Sequence, residues 1–377
     1  MLLTGFNLAH YLMDKGYLSP DEILDGTYTA HPTSSRNTNF LINRDTGSEG
    51  LFVKQVQAWD QEKILTLRSE ATCYWLANQE DEYAQLKAFL PRFIEFDQPN
   101  HILITGAVPD AISLNDFYLR ERQFPPMLAV QQAELLCSFH KDLARSVRDR
   151  PSFRLFRRQP PTVFHWSASG FSTYGGTKSL AEQQMIQLIT RNSDYTERMA
   201  AVRDQWETSS LIHGDIKPAN FLVVGIPVVG IPVGGSSIKT GRFDLRLIDW
   251  ETADIGDPCW DVAAVFQSYL FYWIYHEPAA DQTGPNPFID PCFSLEAMQP
   301  SMQMFWKTYA RNMDWSVEEA RDNLKKTVGY CAMKLIHTCF ESIQQLPGMP
   351  LHSARMLQLS LNMLTAPEVA AYELFGL

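Results

Sequence analysis

The stretch Leu211-Ile-His-Gly-Asp-Ile-Lys-Pro-Ala-Asn220, followed by the apolar run Phe221-Leu-Val-Val224, decides how the rest of the chain is read. An apolar lead-in, a polar loop holding His213, Asp215, Lys217 and Asn220, and a strand-like exit follow one another without a break. Downstream, a second apolar strand, Leu245 to Ile248, delivers Asp249 in Leu247-Ile-Asp-Trp-Glu251. Such a loop offers a carboxylate to a hydroxyl and an amide to a metal, and a second carboxylate arrives on a neighbouring strand. Phosphoryl transfer from a metal-bound nucleotide needs these donors.

The pattern His213-x-Asp215-x-x-x-x-Asn220 with Ile248-Asp-Trp-Glu251 resembles that of the aminoglycoside and choline kinase-like phosphotransferases, relatives of the protein kinases. Four polar residues at fixed spacing, flanked by strands and followed by a second motif, make the match specific. The resemblance covers roughly residues 25–275 and implies an α+β, bilobal, protein-kinase-like fold. A small antiparallel-sheet N-lobe with an N-terminal helical extension (1–106) would bind nucleotide. A larger, mostly helical C-lobe (107–377) would carry the catalytic loop, the metal site and a substrate-binding insert at 144–210.

The resemblance also implies ATP as donor and Mg2+ as the metal. Asp215 orients the acceptor hydroxyl and takes its proton, and Asn220 and Asp249 hold the metal. His213 shapes the loop. Lys217-Pro218 resembles the protein kinases, in which the lysine steadies the γ-phosphate. Glu251, two residues past Asp249, is a further candidate near the metal.

Upstream, residues 6–25 read as two short helices, with Ser19-Pro-Asp-Glu22 forming a capping box. Strands follow at Thr27–Ala30, Phe40–Ile42 and Leu51–Gln55. In the family the first hairpin covers the nucleotide phosphates. Here its turn, Pro32 to Asn37, has no glycine, and Ser34, Ser35 and Arg36 are its candidates for holding phosphate; an ordinary exposed turn is the plainer alternative. Lys54, in Leu51-Phe-Val-Lys-Gln55, is by resemblance the lysine that touches the phosphates. Its expected partner is Glu70, on a helix at 60–78 with an apolar stripe of Ile64, Leu67, Ala71, Tyr74 and Trp75; Glu62 is the runner-up. Strands at Phe93–Phe96 and His101–Thr105 lead into a hinge, where adenine is expected to bond to backbone groups around Thr105 to Ala107.

Beyond the hinge, a helix at 129–143 ends near His140, which reads as packing. Arg145, Arg148, Arg150, Arg154, Arg157 and Arg158 crowd one short segment, either as a solvated surface or as a docking patch for an acidic substrate. Residues 179–188 and 197–206 read as helices of an insert on the lobe's rim. The repeat Val223-Val-Gly-Ile-Pro227, Val228-Val-Gly-Ile-Pro232 reads as a protruding loop. From Asp257 onward the pattern is helical, with Asp261 resembling a family aspartate that braces the catalytic-loop backbone.

The 377 residues suffice for two lobes, and 45% hydrophobic with 20% charged residues is a globular composition. A net charge of −11 argues against nucleic acid as a partner. The six cysteines form no CxxC pair. The N-terminus lacks the basic flank of a signal peptide, and the longest apolar helix, Val262–Tyr275, is too short to span a bilayer. A cytoplasmic protein without membrane partners is expected.

Two acceptor classes stand side by side. The family favours small alcohols such as sugars, aminoglycosides, choline or amino alcohols. Ser35-Arg-Asn-x-Asn-Phe40 before Val53-Lys-Gln55, Lys217 and the arginine run instead resemble peptide kinases of lanthipeptide-type pathways, which phosphorylate Ser or Thr of a precursor peptide before a partner lyase eliminates phosphate. A pseudokinase that binds nucleotide without turnover is the alternative from a different class.

Overall fold

The computed structural model describes residues 1–33, 37–44, 49–144, 154–166, 178–225, 244–276 and 290–377. Ser34, Ser35, Arg36, Arg145, Arg148, Arg150 and most of the Val-Val-Gly-Ile-Pro repeat lie outside these residues. The chain forms two compact units. One comprises Met1–Asp116 with Ala219–Ala253, the other Phe117–Pro218 with Asp254–Leu377. The expected lobe boundary was a single cut after residue 106. The compact division instead returns the strands on either side of the repeat to the first unit and passes between Pro218 and Ala219, within the loop that carries Asp215 and Asn220.

The first unit is built on a five-stranded antiparallel sheet of β1 (Tyr28–Thr33), β2 (Thr38–Arg44), β3 (Leu51–Gln55), β4 (Phe93–Asp97) and β5 (Ile102–Gly106), in the order β1-β2-β3-β5-β4. Alternation along β3 sends Leu51 and Val53 to one face, where they join the buried side chains of α1 (Leu8–Asp14), including Leu8, Tyr11 and Leu12. Lys54 therefore leaves on the opposite face, toward α3 (Gln61–Gln79). The short α2 (Pro20–Leu24) starts with the expected capping box: Ser19 Oγ accepts from the Glu22 amide, and the Glu22 carboxylate accepts from the Ser19 amide. Ile64, Leu67, Glu70, Ala71 and Tyr74 are buried along one stripe of α3. Trp75, counted into that stripe from the sequence, is 46% exposed, and Cys73 and Leu76 are buried instead.

A smaller sheet completes this unit: β6 (Ile112–Ser113), β8 (Phe221–Val224) and β9 (Asp244–Leu247), all antiparallel. Phe221 pairs with Leu247, and the Ile248 amide donates to the Asn220 carbonyl at 3.0 Å. Asn220 and Asp249 thus leave adjoining ends of neighbouring strands.

The second unit is helical apart from the pair β7 (Ser210–Ile212) and β10 (Asp254–Gly256). After α4 (Leu114–Glu121) has carried the chain across, α5 (Pro126–Ala144) packs on α9 (Leu295–Asn312) and on β7. The long α10 (Val317–Ser342), opened by a capping box at Ser316 and Glu319, lies against α8 (Pro258–His276) and α11 (Leu351–Thr365), and α12 (Pro367–Phe375) closes the chain.

The helices expected on the rim, α6 (Leu180–Thr190) and α7 (Ser193–Arg203), are built into this body rather than set outside it. Ala181, Met185 and Ile189 recur every four residues and are fully buried, while Tyr195 reaches Ser360 and the Leu357 carbonyl on α11. The sequence placed them outside because residues 144–210 are the part least like the family. Among the described residues no helix is long and apolar enough to cross a membrane.

Candidate active site

In the second unit, β7 ends at Ile212 and the chain turns into His213-Gly-Asp215. Gly214 has φ +83°, a conformation that L side chains rarely adopt, so glycine permits the turn between the other two residues. The loop is held by Asp261, which is fully buried on the first turn of α8. Its Oδ2 accepts from the His213 amide at 2.7 Å and its Oδ1 from the Gly214 amide at 2.9 Å. His140 Nε2 lies 3.2 Å from Oδ2, and His140 Nδ1 lies 2.8 Å from the Tyr309 hydroxyl. With Asp261 ionised, Nε2 carries the proton, and in a neutral ring Nδ1 accepts from Tyr309. Burial raises the Asp261 pKa, but the hydrogen bond and charge of His140, together with His213, hold it below the ordinary carboxylate value. His140 is thus part of the brace, in line with its reading as packing.

The same loop presents Asp215 and Lys217. The Asp215 amide donates to His213 Nδ1 at 3.3 Å, so the imidazole fixes the loop from within. The Lys217 ammonium lies 2.5 Å from Asp215 Oδ2, with side-chain exposures of 47% and 37%. An exposed pair of this kind contributes roughly 0–1 kcal/mol and exchanges partners readily.

In the first unit, Lys54 is 4% exposed and meets three carboxylates: Glu70 Oε2 at 2.7 Å, Asp249 Oδ1 at 2.6 Å and Glu251 Oε2 at 3.0 Å. Burial lowers the lysine's pKa, but Glu70, Asp249 and Glu251 together outweigh it and hold the ammonium above its ordinary value. For Glu70, burial is the larger influence and keeps the carboxyl above the usual range despite Lys54. Glu70, not Glu62, is therefore the partner of Lys54.

Carboxylate oxygens of Glu70, Asp249 and Glu251 lie within 4.8 Å of one another, so three hard oxygen donors gather around a single ammonium. That donor set fits Mg2+. Asp249 adopts a left-handed backbone conformation, φ 66° and ψ 57°, which a non-glycine residue enters at a cost and which aims its side chain out of the strand direction. The Asn37 amide adds a contact to Glu251 at 3.3 Å that the sequence did not suggest.

At the expected adenine segment, Thr105 is 4% exposed within β5. The Gly106 amide donates to the Arg92 carbonyl at 2.7 Å and the Ala107 amide to the Gly50 carbonyl at 2.8 Å. The amides of Gly106 and Ala107 are thus engaged by residues just outside the strands.

One group near the loop was missed from sequence. Lys334 on α10 is 9% exposed, with its Nζ 3.8 Å from the centre of the Trp260 ring. The signal was available: it is the one charged residue in Tyr330-Cys-Ala-Met-Lys-Leu-Ile336, an otherwise apolar helical turn.

No family model matches the sequence, and no curated protein matches it. Among solved structures the chain is similar to an ethanolamine kinase from Plasmodium vivax, with 14% identity and a TM-score of 0.52 over 96% of this chain and 87% of that one. It is similar to a choline/ethanolamine kinase family protein from Mesorhizobium loti, at 13% and 0.51 over 96% and 94%. It is likewise similar to LicA, a choline kinase of Streptococcus pneumoniae, in complex with AMP, at 15% and 0.51 over 95% and 97%. At such identities the likeness is one of fold, and the chain has the α+β kinase-like fold that its sequence motifs imply.

Proposed function

We propose that this protein is an ATP- and magnesium-dependent phosphotransferase that moves the γ-phosphoryl group to the hydroxyl of a small-molecule alcohol. The observation that carries this reading is the convergence of Glu70, Asp249 and Glu251 on the buried Lys54. One ammonium against three carboxyl groups leaves a surplus of negative charge made of hard oxygen donors, suited to a divalent cation. The fold is shared with proteins named as choline and ethanolamine kinases, one of them bound to AMP, which supports both a nucleotide donor and an alcohol acceptor.

In this reading residues 1–106 hold the nucleotide and residues 107–377 the acceptor. Lys54, directed by Glu70, contacts the phosphates, with Ser34, Ser35 and Arg36 at the hairpin turn. Because the Ala107 amide is committed to Gly50, adenine contacts at Thr105 to Ala107 fall to carbonyl oxygens. Asn220 and Asp249 would hold Mg2+, which would supply positive charge to offset that of the transferring group. The alcohol oxygen forms the new bond to the γ-phosphorus, and the bond from that phosphorus to the bridging oxygen breaks with its electron pair on ADP. The hydroxyl proton passes to Asp215. Lys217 exchanges Asp215 for the γ-phosphate, a small cost for an exposed pair. His213 keeps the loop in shape through the Asp215 amide. The enzyme works in the cytoplasm, where ATP and Mg2+ are supplied.

The test is incubation with γ-labelled ATP, Mg2+ and a panel of amino alcohols, sugars and hydroxy acids, with an acidic Ser/Thr peptide beside them. Label should pass to a small alcohol and stay on ATP when EDTA removes the metal. Label on the peptide alone, lost when the exposed Arg154, Arg157 and Arg158 are neutralised, would replace the small-molecule acceptor by a precursor peptide with its partner lyase. Tight nucleotide binding with no transfer at all would make the protein a pseudokinase.

A further inference from the structure

The acceptor side of the second unit holds a cation of its own. Lys334 is drawn into the interior by α10 and 9% exposed, yet among the described residues its ammonium has no hydrogen-bond acceptor and no carboxylate within ion-pair distance. Its close neighbour is the face of Trp260, 3.8 Å from Nζ to the ring centre. The indole Nε1 of Trp260 donates to the Gly214 carbonyl at 3.3 Å, so the ring that carries the ammonium is tied to the residue just before Asp215. One turn along α10, the His337 ring lies tilted against Trp166, centres 5.5 Å apart, and its side chain is 39% exposed, against 37% for Asp215. The lysine thus lies against the Trp260 ring, one helical turn from a partly exposed His337.

Five titratable groups act on this ammonium. Burial lowers its pKa to about 8, while the charges of Asp261, Asp215, Cys331 and Glu341 raise it only partly back; His337, itself lowered by burial, senses Lys334 and Asp215 in turn. Asp261 is already engaged by two loop amides and His140, and Asp215 by Lys217. A methionine would fill the same space on α10 without the desolvation cost of a buried ammonium. A cation kept in that position without a fixed anion is suited to a partner that arrives from outside.

Resting on the phosphotransferase reading above, we propose that Lys334 is a specificity-determining residue and that the acceptor is an alcohol bearing an anionic group, carboxylate or phosphate, which pairs with the Lys334 ammonium while its hydroxyl faces Asp215. The same ammonium occupies the Trp260 face and repels a cationic head group, so an amino alcohol such as choline is disfavoured. The neighbours of like fold that are named as choline and ethanolamine kinases therefore do not set the acceptor's charge here.

The test needs neither turnover nor the true acceptor. Protein carrying [ε-13C]lysine is titrated from neutral to alkaline pH by NMR, the Lys334 signal being the one missing from K334M. Acetate, inorganic phosphate and choline are added in separate arms, with chloride matching ionic strength. Acetate or phosphate should raise the Lys334 midpoint saturably from about 8 by about one pH unit or more, the usual effect of an adjacent opposite charge, and choline should not. The more effective anion distinguishes carboxylate from phosphate. If neither anion moves the signal beyond the chloride control, or if choline moves it as strongly, the proposal is overturned. Mg-ATP binding, measured separately by calorimetry, reports on the phosphotransferase reading, so the two can fail independently.

Discussion

At the scale of single residues, two carboxylates meet at the loop, one within it and one on α8, in opposite situations. Asp215 stands at the surface and Asp261 is sealed beneath it. Asp215→Asn keeps the shape and loses the base, so turnover should fall by about 10² to 10⁴ while calorimetric nucleotide binding persists. Unchanged turnover would remove Asp215 from its role. Asp261→Asn strikes the brace instead. Replacing a buried, hydrogen-bonded carboxylate should cost about 3 kcal/mol in urea unfolding at neutral pH. Because the folded pKa of Asp261 lies below its unfolded value, its stabilisation is complete above that unfolded value and is lost as pH falls through the folded one. The deficit of Asp261→Asn should therefore shrink below about pH 4. A deficit independent of pH would mean that the charge is not what holds the loop. The motif spacing singles out Asp215, Asn220 and Asp249 as candidates from the sequence alone. Lys334 is not singled out, because a lysine in a helix is ordinarily solvated, and its burial depends on Trp260 and α10 meeting across many intervening residues.

At the scale of elements, β7 leads into the loop from His213 to Asn220 and pairs with β10, and the pair is fitted tightly. A Cβ on Gly256 would stand 2.6 Å from Ile212 Cδ1 and 2.7 Å from Trp206 Cζ2. Gly256→Ala should cost about 1–3 kcal/mol in thermal or urea unfolding, the usual penalty of overpacking, and lower turnover by shifting Ile212, the residue before His213. A variant as stable and active as the parent would show that the strand pair has slack. The longer elements were legible: alternation gave β3, the capping box at Ser19 gave a helix start, and the apolar stripe gave α3. What escaped was short or partner-dependent. The 3-10 turn at Asp81–Ala88 has no period long enough to read, and β10 is three residues whose only claim to be a strand is β7. The expected adenine segment depends on partners in the same way: only the fold shows that the Ala107 amide is spent on Gly50.

At the scale of the whole molecule, the chain returns to its first unit at Ala219 and leaves it again after Ala253, which brings Asp249 and Glu251 to Lys54 and leaves Asp215 with the helical unit. A sequence read in order suggests one cut; compactness follows the sheet pairing of β8 and β9 with β6 instead. A ligand that binds only the folded protein raises its stability by mass action, about 2.7 kcal/mol at a hundredfold excess over Kd. Mg-ATP should therefore raise the unfolding temperature, and ATP with EDTA should not. The most direct test of the account is calorimetric titration of ATP into the parent protein and Asp249→Ala, each with Mg2+ and with EDTA. The account predicts magnesium-dependent binding in the parent and its loss in Asp249→Ala; equal ATP affinity in all four titrations would contradict it.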